Sequence, residues 1–235
     1  LLQERGSDGF LLRSGWLGIG RELPNRQTVF RPERWGDRRG SDESVTATLE
    51  WSAPGGTTYR KLYTFHRNSY LFDLRFEVDN ASSEEWTGYL YGQLWRTEVT
   101  QTGKMGFLGR LPSFIGGAIY TPAETYKKFD YEDMREQQFA AGGQGNRQEY
   151  AKTPSGWVAM LQHYFVGALL AKEDSQYGYE FYSAVRDAGT KPEYLVGFKR
   201  RAPLVVSGGL SGEVGTRMFL GPKETARLEE AEQQL

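Results

Sequence analysis

The stretch "YLFDLRFEVDN" (70–80) sets Phe72, Leu74, Phe76 and Val78 on one side of an extended chain, with Asp73, Arg75, Glu77 and Asp79 on the other. A strict period of two with one apolar and one charged face marks a β-strand that is half buried. Its surroundings repeat the theme. "SVTATLEWS" (44–52), "TTYRKLYTFH" (57–66) and "WTGYLYGQLWRTEV" (86–99) read as further strands. "APGG" (53–56), "RNS" (67–69) and the polar segment 80–85 turn the chain between them. Three more strands are predicted at 177–186, at 193–206 with a break near Pro203, and at 213–220. Short strands at such spacing predict an all-β sandwich or barrel.

The rest is less regular. Residues 101–155 keep no steady period; "TYKKFDYEDMREQQF" (125–139) suits a helical turn, and "AAGGQGNRQ" (140–148) reads as a loop. The tail "GPKETARLEEAEQQL" (221–235) predicts a helix from about Pro222, because Pro suits a first helical position and Ala and Glu follow. Leu228, Ala231 and Leu235 would form its narrow apolar stripe.

"GWVAMLQHYFVGALLA" (156–171) is the most apolar run. Its 15 residues from Trp157 to Ala171, interrupted by Gln162 and His163, fall short of the ~20 a spanning helix needs. With a mean hydropathy of −0.62 the chain is expected to be soluble as it stands. Trp157, Ala159, Leu161 and Phe165 would share one face of a strand, and Val158, Met160, Tyr164 and Val166 the other. Both faces are apolar, as a central strand covered on both sides requires, so Trp157–Val166 is predicted as one. A buried helix stays the alternative, since a short apolar run does not separate the two.

Charge and cysteine content narrow the function. Basic residues (29) balance acidic ones (30), leaving no basic excess to hold nucleic acid. The absence of cysteine excludes disulfides and thiolate metal sites. The first residue is Leu1, so the chain reads as a piece of a longer protein. No phosphate-binding loop, GxSxG elbow or HExxH pattern occurs. His66 and His163 could serve acid–base work or a metal, but a turn histidine and a packed strand histidine are the simpler reading. Glu132, Asp133 and Glu136 read as a solvated helical face. Asn80 opens an Asn-Ala-Ser triplet of the kind that accepts glycans, though turn chemistry accounts for it better. No catalytic residue, cofactor or metal is expected.

Aromatics are the remaining hint, at 14% of the chain. Trp86, Tyr89, Tyr91 and Trp95 share one strand, where they could form a binding platform or simply fill the core. The broken apolar stretch "GKMGFLGRLPSFIGG" (103–117) carries Phe107, Leu108 and Phe114, which could contact a partner or fold back over the sandwich.

Four ordered blocks resemble one family: "YTFHRNSYLFDLRFEVDN" (63–80), "FIGGAIYTPAETYKKF" (114–129), "GWVAMLQHYFVGAL" (156–169) and "FLGPKE" (219–224) are similar to segments of the large periplasmic domain of bacterial YidC membrane protein insertases. The family pattern has Gln where this chain has His163. The resemblance spans about residues 10–235. It implies a single β-supersandwich domain (1–235), like that of sugar mutarotases, with helical elements at its C-terminal end (about 222–235) and N-terminal strands missing. It implies a place on the periplasmic face of the inner membrane, between spans of a multi-pass protein that this chain lacks. The implied role is non-catalytic: a docking or scaffold module for auxiliary subunits of the Sec translocon, in a protein that inserts and folds nascent membrane proteins. A carbohydrate- or peptide-binding sandwich, or an aldose mutarotase-like enzyme using His66 and His163, is the alternative.

Overall fold

Alternation becomes strand wherever one face is wet. In a computed structural model, described for residues 9–18, 23–24, 28–35, 43–98, 114–123, 126–140, 147–171, 177–187 and 191–224, the charged side of "YLFDLRFEVDN" faces solvent and its apolar side the core. In chain order the strands are β1 (Phe10–Leu17), β2 (Arg31–Trp35), β3 (Ser44–Ser52), β4 (Thr57–His66), β5 (Leu71–Asn80), β6 (Trp86–Thr97), β7 (Gly116–Tyr120) and β8 (Lys127–Phe129). After the helix α1 (Tyr131–Ala140) come β9 (Arg147–Thr153), β10 (Gly156–Leu161), β11 (Phe165–Ala171), β12 (Tyr179–Asp187), β13 (Pro192–Arg200), β14 (Leu204–Val206) and β15 (Ser211–Pro222).

Among the described residues the strands form two antiparallel sheets. One has nine strands in the order β2-β3-β4-β5-β15-β11-β10-β7-β8; the other runs β1-β6-β13-β12-β9, with β14 also on β6. Their inner faces share one core. Phe10, Trp16, Trp86, Leu94 and Phe198 enter from the smaller sheet, and Tyr59, Leu74, Phe76, Met160 and Met218 from the larger. This is the all-β sandwich that the alternation predicted, with the solvated charges of β5 tied across strands to β15, as in Arg75–Glu213 at 3.5 Å and Arg217–Asp73 at 3.4 Å.

The apolar run 156–171 departs from expectation. It is a hairpin of two strands, β10 and β11, not one strand through Val166. Gln162 N donates to Phe165 O (2.8 Å) to close the turn. The burial on both faces holds: Val158, Met160 and Leu169 join the main core, while Ala159, Leu161, Val166 and Leu170 form a second cluster with Leu71, Ala118 and Phe219. With both faces apolar, no change of period announced the turn. His163 consequently sits exposed in that turn and is not a packed strand residue. Gly156 begins β10 at φ 136°, where a Cβ would lie 2.2 Å from Tyr120 O, so the entry tolerates no side chain.

The expected helix from Pro222 is also corrected at its start. Pro222 is the last residue of β15, in register with Phe165, and Lys223 N continues to Tyr164 O at 2.8 Å. A proline at a strand end gives up no needed ladder bond, and its ambiguity between strand end and helix start misplaced the boundary. Residues 225–235, with Leu228, Ala231 and Leu235, lie outside the described residues. β1, β2, β7, β8 and β9 are strands that the sequence reading missed, and β9 begins inside the expected loop 140–148.

The helical turn at 125–139 is α1. Asp130 caps it: its Oδ1 accepts from Glu132 N (2.8 Å) and Asp133 N (2.9 Å), and Asp133 Oδ2 accepts from Asp130 N (2.9 Å). Glu132, Asp133 and Glu136 face solvent. Among the described residues no helix is long and apolar enough to cross a membrane.

A lysine also points inward. Lys61, on β4, reaches across to the smaller sheet, where its Nζ donates to Ser14 O at 2.8 Å and lies 4.8 Å from the Phe30 ring centre. Leu49 on β3 and Phe76 on β5 stand opposite it, and Tyr63 and Ser14 are the polar side chains beside it. Burial lowers its pKa from 10.5 to about 8. The folded state therefore binds fewer protons than the unfolded one between those values, so stability should rise with pH from 8 toward 10, by roughly 2 kcal/mol. Above pH 10 the slope reverses, because burial pushes the Tyr131 phenol up to about 12 and the folded state then holds the extra proton. Urea unfolding of wild type and Lys61→Met at pH 7.5, 9 and 10 isolates the effect; a stability difference between them that does not change with pH would refute it.

Candidate functional site

β6 is the second strand of the smaller sheet, between β1 and β13. Its alternation sends Trp86, Leu90 and Leu94 inward and leaves Tyr89, Tyr91, Gln93 and Trp95 half-buried on the outer face. Three of the four aromatic residues singled out on this strand thus share one surface. Trp86 does not: it is fully buried, with its indole N–H donating to the Tyr59 hydroxyl at 2.9 Å. Its even position in the strand puts it on the other side of the pleat from the odd-numbered three.

Cations from neighbouring strands hold the outer aromatics. Trp95 is approached by Arg13 from β1 (4.3 Å to the ring centre) and by Arg186 from β12 (4.9 Å), and Lys199 from β13 lies 4.9 Å from the Tyr89 ring. Such contacts are worth about 0.5–1 kcal/mol each where partly exposed. Arg186 is further tied to Glu193, with Nε 3.0 Å from Oε2. A short relay fixes the ring edges: Trp95 Nε1 donates to Gln93 Oε1 (2.9 Å), and Gln93 Nε2 to the Tyr182 hydroxyl (2.6 Å). Gly197, opposite Gln93 on β13, leaves room for this relay, since a Cβ there would meet Tyr182 at 3.1 Å. Burial raises the Tyr91 phenol's pKa, and the charge of Arg13 opposes that rise. The result is a pre-arranged aromatic surface edged by positive charge.

The other expected contact residues lie elsewhere. Phe114 packs at the entry to β7, against the second cluster of the nine-stranded sheet, with Lys128 Nζ 5.5 Å from its ring centre. Phe107 and Leu108 lie outside the described residues. His66 and His163 do not share a cleft. His66 ends β4 and meets Asp73 on the surface (Nε2 to Oδ2, 2.7 Å), whereas His163 caps the β10–β11 turn, with β5 and β15 between them. An open groove of about 760 Å³ along β2 and β3 is lined by Arg31, Glu33, Glu50 and Trp51. Arg60 holds Glu50 at 2.8 Å and Glu33 at 3.6 Å, and the Trp51 ring stacks on Tyr59, so both carboxylates and the indole of the groove already have partners.

A family model, described as the YidC periplasmic domain, matches residues 1–235. The chain belongs to this family. It is 33% identical over 234 residues to the membrane protein insertase YidC of Cellvibrio japonicus, covering 98% of this chain and 39% of that protein. A second YidC, from Methylococcus capsulatus, is 32% identical over 227 residues, covering 95% of this chain and 38% of the relative. The chain therefore spans well under half the length of these insertases. Among solved structures it is similar to a galactose mutarotase related enzyme from Lactobacillus acidophilus, with a TM-score of 0.49 and 13% identity over 83% of this chain and 72% of the other. A galactose mutarotase-like protein from Clostridium acetobutylicum gives 0.48 and 8% over 91% and 79%.

Within the YidC periplasmic domain, reading β6 alone could find Tyr89, Tyr91 and Trp95. Arg13, Arg186 and Lys199 were missed. They come from strands whose pairing with β6 is long-range, and only the parity of positions 89, 91, 93 and 95 hinted that one face collects partners.

Proposed function

We propose that this chain is a non-catalytic docking module of a membrane protein insertase, placed at the periplasmic face of the inner membrane by segments outside it. Its aromatic face on β6 receives a periplasmic protein surface, an auxiliary subunit of the Sec translocon, while nascent membrane proteins are handled elsewhere in the full-length protein. The observation that carries this reading is the grouping of Tyr89, Tyr91 and Trp95 on one face with fixed cations around them. Pre-ordered aromatic and arginine side chains lose little entropy on binding and are the commonest anchors of protein interfaces. The same geometry disfavours a sugar, because Trp95 already carries two guanidinium groups within 5 Å of its ring centre. Among the described residues no nucleophile–base pair lies on this face.

The test uses the full-length insertase. A Tyr91→Ala/Trp95→Ala variant should recover translocon subunits at least tenfold less in a pull-down from solubilised membranes, while the isolated domain keeps a cooperative melting transition. Equal recovery would remove this face from the interface.

A further inference from the structure

We infer that Lys61 is a carbonyl-reactive amine, a site at the β1 edge of the sandwich that takes an apolar aldehyde and holds it as an imine. The inference does not rest on the docking role, since Lys61 lies on the core side of β1 and the aromatic face on its outer side. Four observations converge. The amine sits between the sheets, held by one acceptor, Ser14 O at 2.8 Å. It faces aromatic carbon, 4.8 Å from Phe30 and 5.8 Å from Phe76. Among the described residues no carboxylate pairs with it; the residues opposite are Leu49 and Phe76. Tyr63 stands next along the same face of β4, with its phenol hydrogen-bonded to Ser14. Lys61 keeps part of its surface open, and among the described residues β1 ends the smaller sheet.

Burial favours the neutral amine, against the pull of the Phe30 and Phe76 rings on an ammonium. A neutral amine can spend one N–H on Ser14 O and keep its lone pair free for a carbonyl carbon. Desolvation in an apolar pocket is a recognised way of activating a lysine toward carbonyls. With the pKa lowered to about 8, about a quarter of Lys61 is neutral at pH 7.5, against about a thousandth of an ordinary lysine.

The lone pair of Nζ attacks the carbonyl carbon, forming the C–N bond while the carbonyl oxygen takes a proton. Loss of that oxygen as water, with a second proton from nitrogen, leaves the C=N bond. Amine plus aldehyde gives imine plus water, with no oxidant and no activated donor. Tyr63 and Ser14 are placed to pass protons to and from the oxygen. Phe30 and Phe76 would select an apolar or aromatic chain over a hydrated sugar.

The folded chain is treated with hexanal and cyanoborohydride, which traps the imine as a secondary amine, and each lysine is quantified by peptide mass spectrometry. Lys61 should be alkylated at least tenfold faster at pH 7.5 than the exposed Lys127, with its rate half-maximal near pH 8. In urea-unfolded chain the advantage should vanish, and Lys61→Arg should lose that adduct alone. A Lys61 rate at or below that of Lys127, a midpoint above pH 10, or an advantage that survives unfolding would each overturn the assignment.

Discussion

Trp86→Ala should cost about 3–5 kcal/mol of folding stability, read from the urea midpoint at an unchanged denaturant slope. The indole is fully buried and joins the sheets: it belongs to β6, yet its N–H donates to Tyr59 of β4 at 2.9 Å. Its ring meets Trp16 edge-on at 4.9 Å and lies across the Gly88 position, where a Cβ would come within 2.5 Å of it. Truncation would open a cavity among large, closely packed aromatics and take a donor from the Tyr59 hydroxyl. Trp86→Phe keeps most of the packing and loses the hydrogen bond, so a smaller loss of about 1–2 kcal/mol is expected. If the alanine variant unfolded at the wild-type midpoint, the two sheets would not depend on this contact.

Asn80→Asp should be nearly as damaging, by about 3–5 kcal/mol at pH 7, and should change sharply with acidity. Asn80 is wholly buried at the end of β5. Its Nδ2 donates to Glu84 O (2.7 Å) and Val206 O (3.0 Å), and its Oδ1 accepts from the Ser82 hydroxyl (2.7 Å). One side chain thus ties the 81–85 turn to β14. A carboxylate there would set an anionic oxygen against two carbonyl oxygens. Its pKa in the fold would rise, so the variant should recover stability as pH falls through that raised value and the protonated oxygen donates again. Melting temperatures of the variant and wild type at pH 7 and 5 check the sign; a gap that widens at pH 5 would contradict it. The same burial keeps a glycan off the Asn-Ala-Ser triplet in the folded chain.

The legible part of this fold is the part with one wet face. β3 through β6 were readable because Asp73, Arg75, Glu77 and their like mark solvent at every second residue. Where both faces are covered the signal disappears, so β10 and β11 were read as one strand, and only the polar residues Gln162 and His163 stood at the turn. The site divides in the same way. Tyr89, Tyr91 and Trp95 follow from position within β6, and parity alone would have set Trp86 apart. The arginines and lysine that frame them depend on which strands become neighbours, and local pattern carries no information on that. Nothing in the pattern of β4 singled out Lys61; its inward turn depends on the opposing β1, whose Ser14 supplies the acceptor.

The place of β15 has a mechanical consequence. This strand lies inside the nine-stranded sheet, registered with β5 from Ser211 to Phe219 and with β11 from Leu170 back to Phe165. A tug on the chain beyond residue 224 is therefore borne along β15 by two hydrogen-bonded neighbours at once, in shear. At the other end, β1 is laced to β6 alone among the described residues, and tension there falls on a single seam. The sandwich is mechanically lopsided: firmly anchored toward its downstream end, and easier to unpick from its upstream one.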